Sequence, residues 1–219
     1  MKKNIIFKSL VLIVILLITF LTLNSKEVNK FKKDYEKLNN KTNENGKKYK
    51  NIKISNDNPI VYSNYKEIFN VLDNTGVIYF GFPECPWCRN AVPVLLDAAQ
   101  ETGIDKIYYM NNLKDRDIKT LKEGNIITEK EGTKDYNKLL KRLDGKVSVY
   151  NGLNDENIKR LYFPTVIVVK NGKIVDYIEG TVDTQKDPYK PLSKKEEKEL
   201  KEKYIKAINK TLMCEKTKC

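Results

Sequence analysis

Histidine is absent from this chain of 219 residues, and cysteine occurs only four times. A zinc site without histidine would need all four cysteines, but Cys85 and Cys88 lie far along the chain from Cys214 and Cys219. No nucleic-acid-binding motif and no internal repeat is present. These absences argue against a metal site and against a nucleic-acid partner, and nothing in the sequence calls for another cofactor.

The charges have both signs, but the basic residues are in excess. Lysine and arginine number 41 against 29 acidic residues, so the formal net charge is +12. The basic residues are interleaved with acids rather than gathered in one patch, which indicates a solvated surface. A basic domain would also be attracted to anionic lipid or cell-wall polymer.

An almost unbroken apolar run covers residues 5–23, which is close to the length that a helix needs to span a bilayer. No small-x-small cleavage site and no cysteine follows the run. We therefore favour a membrane anchor over residues 1–23, with a cleaved secretory signal as the alternative. Lys2, Lys3 and Lys8 favour an inside amino terminus. The expected protein is single-pass in the cell membrane with an extracytoplasmic domain, or is secreted if the signal is cleaved.

The rest of the chain divides into three parts. Residues 24–58 are polar, and we interpret them as a stalk because such a composition cannot bury a core. The folded domain is predicted to cover residues 59–212. Residues 213–219 form a tail in which Cys214 and Cys219 either close a small disulfide ring or remain free thiols.

Hydrophobic periodicity predicts a mixture of strands and helices in the folded domain. Asn171-Gly172 predicts a tight turn between the last two strands. The predicted strands cover residues 59–62, 76–80, 104–110, 166–169 and 174–178, and the predicted helices cover 65–72, 89–102 and 194–212.

Two cysteines, Cys85 and Cys88, flank Pro86 and Trp87 where the buried strand 76–80 gives way to a helix. Free amides and the positive end of the helix dipole favour a thiolate at Cys85. Cys88 lies one turn further along, close enough to form a disulfide with Cys85. A Cys-x-x-Cys pair in a βαβ context is a redox motif. We predict that Cys85 is the attacking thiol and Cys88 the resolving thiol.

Features outside this motif repeat the spacing of a known family. Pro93 follows Cys88 by five residues, and two glycines follow Pro164 by eight and sixteen residues. The segment Tyr162-Phe163-Pro164-Thr165 precedes an apolar strand. With these features the chain resembles thioredoxin-fold thiol–disulfide oxidoreductases. Its Cys-Pro-aromatic-Cys-Arg site behind an anchor looks like the membrane-anchored thioredoxin-like and bacteriocin transport accessory proteins of Gram-positive bacteria.

The resemblance covers roughly residues 60–212 and implies an α/β, thioredoxin-like fold with a central mixed sheet flanked by helices. It also implies a cis peptide before Pro164, where Phe163 and Pro164 form a substrate-binding groove beside the disulfide. Pro86 and Trp87 would border this groove. The indole of Trp87 either contacts substrate or only packs against the domain.

Three residues near the cysteines bear on how this site would work. Thioredoxins carry a buried carboxylate six residues before the first cysteine, and Tyr79 stands at that position. Another group or water must therefore handle the proton of the resolving thiol. Arg89 is expected to favour nearby thiolates, and Glu84 to oppose them. Strongly oxidising relatives carry histidine between the cysteines, so we expect a less extreme potential here.

The stretch between Cys88 and Pro164 leaves room for an insertion of about 35 residues beyond one βαβ crossover. We place this insertion at residues 112–160. Helices are predicted within it over residues 115–123, 133–143 and 155–161. The insertion is either a helical decoration or a lid or partner surface beside the disulfide.

The expected function is that of a thiol–disulfide oxidoreductase that acts on cysteines of exported proteins. Its substrates would be protein thiols and disulfides, and a further redox partner would restore its cysteine pair. Two alternatives remain open. One is a non-turnover accessory or binding module of an export system, and the other is a reductase that faces the cytoplasm.

Overall fold

The computed structural model describes residues 12–15 and 30–212. A 3-10 turn at Leu113–Asp115 interrupts the regular elements. In chain order these are α1 (residues 30–36), β1 (Ile60–Tyr62), α2 (Tyr65–Asp73), β2 (Gly76–Phe80), α3 (Pro86–Thr102), β3 (Ile107–Met110), β4 (Ile118–Lys122), β5 (Asn125–Lys130), α4 (Lys134–Arg142), β6 (Ser148–Val149), β7 (Lys159–Arg160), β8 (Thr165–Lys170), β9 (Lys173–Glu179) and α5 (Lys194–Leu212).

A five-stranded mixed sheet forms the centre of the domain, in the order β1-β3-β2-β8-β9. The first three strands in this order run parallel, and β8 and β9 are antiparallel to their neighbours. Helices α3 and α5 pack on one face of the sheet, and α2 and α4 pack on the other. The expected α/β architecture, a central mixed sheet flanked by helices, is confirmed.

The central strand β2 is buried on both faces, which explains its continuous apolar sequence. Side chains alternate between the two faces of a strand. Val77 and Tyr79 therefore enter the core beneath α3, and Ile78 and Phe80 enter the core beneath α2. This alternation places the Tyr79 side chain on the same side of the sheet as the two cysteines.

The segment predicted to be a stalk is part of the folded domain wherever the structure describes it. Phe31 and Tyr35, four residues apart on one face of α1, are fully buried, and Ile52 and Ile54 join them in the core beneath α3. The prediction of a stalk over 24–58 and of a domain beginning at residue 59 is therefore wrong for residues 30–58. A few apolar residues at suitable spacing are enough to bury part of this segment, although its average composition is polar.

The insertion is less helical than predicted. The helix expected over residues 115–123 is instead the 3-10 turn followed by β4, which forms a hairpin with β5. Glu123 and Gly124 both have positive φ, as the tight turn of a two-residue hairpin requires. The helix expected over 155–161 is also wrong, because β7 pairs there with β6. Only α4 matches a predicted helix of the insertion.

The predicted anchor over residues 5–23 lies outside the described residues except for 12–15, which are helical with exposed side chains. Within 12–15 and 30–212, no helix has the length and apolar character needed to cross a membrane. The tail with Cys214 and Cys219 also lies outside the described residues.

Candidate active site

Cys85 and Cys88 lie at the junction between β2 and α3. Cys85 is the N-cap of α3, and its sulfur accepts a hydrogen bond from the backbone N–H of Cys88 at 3.1 Å. Pro86 occupies the first turn, where its missing N–H leaves no intrahelical bond unmade. The local sequence thus places the Cys85 sulfur among the free amides of a helix start, where negative charge is stabilised.

The two sulfurs differ in their surroundings. Cys85 retains 4% of its exposure and Cys88 none, and both are unpaired thiols. Burial raises the pKa of Cys88 well above the ordinary thiol value, and its hydrogen bond with Cys85 and the proximity of that sulfur act in the same direction. Cys88 is therefore a protonated thiol beneath the surface, and the small exposed area belongs to Cys85.

The loop before β8 faces Cys85. The Cys85 sulfur lies 3.8 Å from the backbone oxygen of Phe163, and the Phe163–Pro164 peptide bond is cis, as expected. The Phe163 ring meets the Phe82 ring edge-on, with centroids 5.4 Å apart. The structure thus brings the predicted groove residues Phe163 and Pro164 together with the cysteine pair.

Two further side chains near the cysteines and the loop are those of Trp87, in the first turn of α3, and Arg116, which contacts the loop. Trp87, the second residue of α3, is partly buried and packs against the core beneath that helix. Part of its indole surface is therefore covered by the domain itself. The Arg116 guanidinium lies 4.6 Å from the centre of the Phe163 ring and donates to the Leu161 oxygen at 3.1 Å. Arg116 belongs to the insertion, so the insertion begins in contact with the candidate site.

Arg89 is fully buried and has a structural role that the sequence did not predict. All three of its guanidinium nitrogens bind oxygen atoms of neighbouring segments. Nε donates to Lys50 O at 2.7 Å, Nη1 to Tyr35 O at 2.8 Å and to Pro83 O at 3.3 Å, and Nη2 to Asn39 Oδ1 at 2.8 Å. Arg89 therefore fastens residues 30–58 to the helix that carries the cysteines.

Sequence reasoning missed a group of buried tyrosines around Cys88, formed by Tyr35, Tyr79, Tyr109 and Tyr204. The hydroxyls of Tyr35 and Tyr79 are 3.0 Å apart. Burial raises the pKa of each of the four phenols, and each lies close enough to the Cys88 sulfur for charge on that sulfur to raise it further. Tyr79 could be placed here from strand alternation, but Tyr35 could not, because its segment was interpreted as a stalk.

No group of three metal-ligating side chains occurs within the described ranges 12–15 and 30–212. No protein-family model and no curated protein sequence matches this chain. The site combines a cysteine that caps α3 and retains 4% of its exposure, a fully buried cysteine one turn away and a backbone carbonyl that faces the first sulfur.

Proposed function

We propose that this chain is a thiol–disulfide oxidoreductase with a thioredoxin-like fold. The observation that carries the proposal is the unequal placement of the two thiols. Cys85 caps α3 with its sulfur among free amides, whereas Cys88 is buried one turn away. An exchange enzyme needs one accessible sulfur to attack and a second, protected sulfur to resolve the mixed disulfide.

The loop opposite the cysteines supports the proposal. The Phe163 carbonyl lies beside the Cys85 sulfur, and β8 begins two residues later. An extended substrate backbone can pair with such a loop and bring its own sulfur to Cys85. The substrate class is therefore protein thiols and disulfides in extended segments, with cysteines of exported proteins as the expected case.

The cellular place is part of the same proposal. The uncharged run over residues 9–23 and the exposed apolar side chains at 12–15 favour a membrane anchor. The catalytic domain would then lie outside the cytoplasm and exchange electrons with a further redox partner. The mass of the mature amino terminus and a protease-protection assay on intact cells test this; a cleaved terminus or a protected domain would contradict it.

The chemistry is tested by trapping in the full-length chain with Cys214→Ser and Cys219→Ser, so that only Cys85 and Cys88 carry thiols. Cys88→Ser leaves attack intact but removes the resolving thiol, so mixed disulfides with substrate proteins should accumulate and disappear on reduction. Cys85→Ser is the matched control and should trap nothing. A Cys88→Ser protein that still reacts with a small disulfide yet captures no protein would contradict the enzyme assignment and favour a binding module.

A further inference from the structure

Two arginines of the insertion, Arg116 and Arg160, are held together by reciprocal hydrogen bonds. Arg116 donates through Nη1 to the backbone oxygen of Leu161, the residue after Arg160, at 3.1 Å. Arg160 donates through Nη2 to the backbone oxygen of Asp117, the residue after Arg116, at 3.4 Å. This arrangement brings two positive charges close together where the segment before β4 meets β7.

Each of the two guanidinium groups also lies on an aromatic ring. Cζ of Arg116 is 4.6 Å from the centre of the Phe163 ring, and Cζ of Arg160 is 4.0 Å from the centre of the Tyr150 ring. Guanidinium groups stack favourably on aromatic faces, and a side chain that is already held in place loses little freedom when it binds a ligand. The two arginines are therefore ordered by the domain itself.

The positive charge of this pair has no partner of opposite sign. Among the described residues, neither Arg116 nor Arg160 forms an ion pair with a carboxylate. The Asp117 carboxylate lies 3.9 Å from the Lys119 ammonium instead. Burial lowers the pKa of Arg116, and the charge of Arg160 acts in the same direction. Two half-buried like charges repel each other, and a bound anion would compensate them.

The arginine pair lies beside the loop that faces the first cysteine. The backbone oxygen of Phe163 is 3.8 Å from the Cys85 sulfur, and the ring of the same residue carries Arg116. A single residue thus contacts both the sulfur and the cation. An extended substrate backbone that pairs with this loop advances about 3.3 Å per residue. A substrate side chain near the reacting cysteine can therefore reach Arg116.

We propose that Arg116 and Arg160 bind a carboxylate side chain of the substrate protein, an aspartate or glutamate within about three residues of its reacting cysteine. The proposal rests on the proposed function and makes this part of the insertion a substrate-recognition surface. The planar guanidinium suits a carboxylate, because its N–H groups can form parallel hydrogen bonds to the two oxygens. Nη2 of Arg116 and Nε and Nη1 of Arg160 make no hydrogen bond to a described residue and are available as donors.

Activated peptides test the proposal on the reduced full-length chain with Cys214→Ser and Cys219→Ser. Each peptide carries one cysteine as a pyridyl disulfide, so attack of Cys85 on the peptide sulfur releases pyridinethione, whose absorbance gives the rate. Glutamate or glutamine is placed at successive positions on either side of the peptide cysteine. At one or more positions the glutamate peptide should react about tenfold faster, because charge-assisted hydrogen bonds are gained.

The salt dependence of this preference is a test that needs no variant. The ratio of the glutamate rate to the glutamine rate should fall toward one between about 0.01 M and 1 M salt, since the screening length falls from about 30 Å to about 3 Å. A parent that reacts equally with both peptides at every position, even at low salt, would overturn the proposal.

Arg116→Gln should reduce the ratio to about twofold or less, and Arg160→Gln should reduce it by a smaller factor. The matched control is Arg142→Gln, which removes the same charge from α4, where the guanidinium pairs with Asp73 on the surface. This control should keep the parent ratio. An equal fall in Arg142→Gln would overturn the proposal, because net charge alone would then explain the preference.

The glutamine peptide separates recognition from support of the loop. Equal slowing with both peptides in Arg116→Gln would overturn the proposal, because the side chain would then act only by holding Phe163. If Arg116→Gln fails to fold, Arg160→Gln and the salt dependence of the parent still decide. A parent that releases pyridinethione no faster than Cys85→Ser from any peptide would instead refute the proposed function, so the two failures are distinguishable.

Discussion

The guanidinium of Arg89 donates through Nη1 to the backbone oxygen of Tyr35 at 2.8 Å, across 54 residues of sequence. The residue that follows the second cysteine is thereby bonded to the segment that supplies Tyr35, a buried phenol in the same core as Cys88. The same segment supplies Phe31, whose ring meets those of Tyr35 and Tyr109. Residues 30–58 therefore contribute to the environment of Cys88 as well as to the core.

The first prediction concerns Arg89. Replacing it with Met removes the donors to Lys50, Tyr35 and Asn39 and leaves buried oxygens unpaired, which should lower the free energy of unfolding by about 3 kcal/mol. Arg89→Lys should recover less than half of this loss, since an ammonium cannot reproduce the planar fork. Urea denaturation measures both.

Arg142→Met is the control for loss of an arginine at an exposed position. Its guanidinium pairs with Asp73 on the surface, where such pairs contribute about 0–1 kcal/mol. A loss for Arg89→Met no larger than that of Arg142→Met would mean that the buried network does not hold the segment in place.

The second prediction tests whether residues 30–58 belong to the fold. Phe31 is fully buried, so Phe31→Ala should destabilise the protein by about 3–5 kcal/mol through the cavity it leaves. Lys33→Ala, on the exposed side of the same helix, should change stability by about 0.5 kcal/mol or less. Similar small effects from both variants, measured by thermal unfolding, would restore the stalk interpretation.

Much of the fold could be predicted because local signals and burial agree. β2 combines a continuous apolar run with a glycine at its start, and α3 ends at Thr102 and is capped by Gly103, whose φ of 69° suits a left-handed cap. The prediction for α5 matches its bounds of Lys194–Leu212, with Ser193 accepting from the N–H of Glu196. In these elements the capping residues and the buried side chains lie within the element or directly beside it in sequence.

The errors occur where long-range contacts decide the structure. Residues 30–58 carry few apolar side chains, and a buried arginine from α3 helps to hold them in place, which no local pattern reveals. The hairpin of β4 and β5 was missed because the Glu-Gly turn was not recognised between runs containing β-branched residues. The position of Tyr79 could be predicted, but its contact with Tyr35 depended on the segment that was misassigned.

The third prediction is a pH dependence of stability caused by Cys88. Burial raises its pKa in the folded protein, so above the ordinary thiol value of 9.0 the unfolded chain loses this proton while the folded chain keeps it. The stabilising contribution of the protonated Cys88 thiol is fully present below pH 9.0. Above it, the free energy of unfolding should fall by up to about 1.4 kcal/mol per pH unit.

Cys88→Ala isolates this effect, because the variant keeps the buried tyrosines and loses only the thiol. Unfolding of the reduced parent and of Cys88→Ala should be compared in urea between about pH 7 and pH 10.5. The difference between their free energies of unfolding should be constant near neutral pH. Above pH 9.0 the parent should lose stability relative to Cys88→Ala. A difference that stays constant over the whole range would mean that Cys88 titrates equally in both states.

The fourth prediction separates substrate binding from chemistry at Trp87. Part of the indole packs against the core and the rest remains accessible beside the cysteine pair, within the first turn of α3. Trp87→Ala should therefore raise KM for a protein disulfide by about tenfold, because an aromatic contact area is lost on the substrate side. Attack on Ellman's reagent, which is too small to need this surface, should change by about twofold or less.

Trp87→Phe, which keeps an aromatic face, should lie close to the parent in both assays. If Trp87→Ala slowed the small reagent and the protein substrate equally, the indole would act only by supporting α3, and the groove would have to be bounded by Phe163 and its neighbours without it.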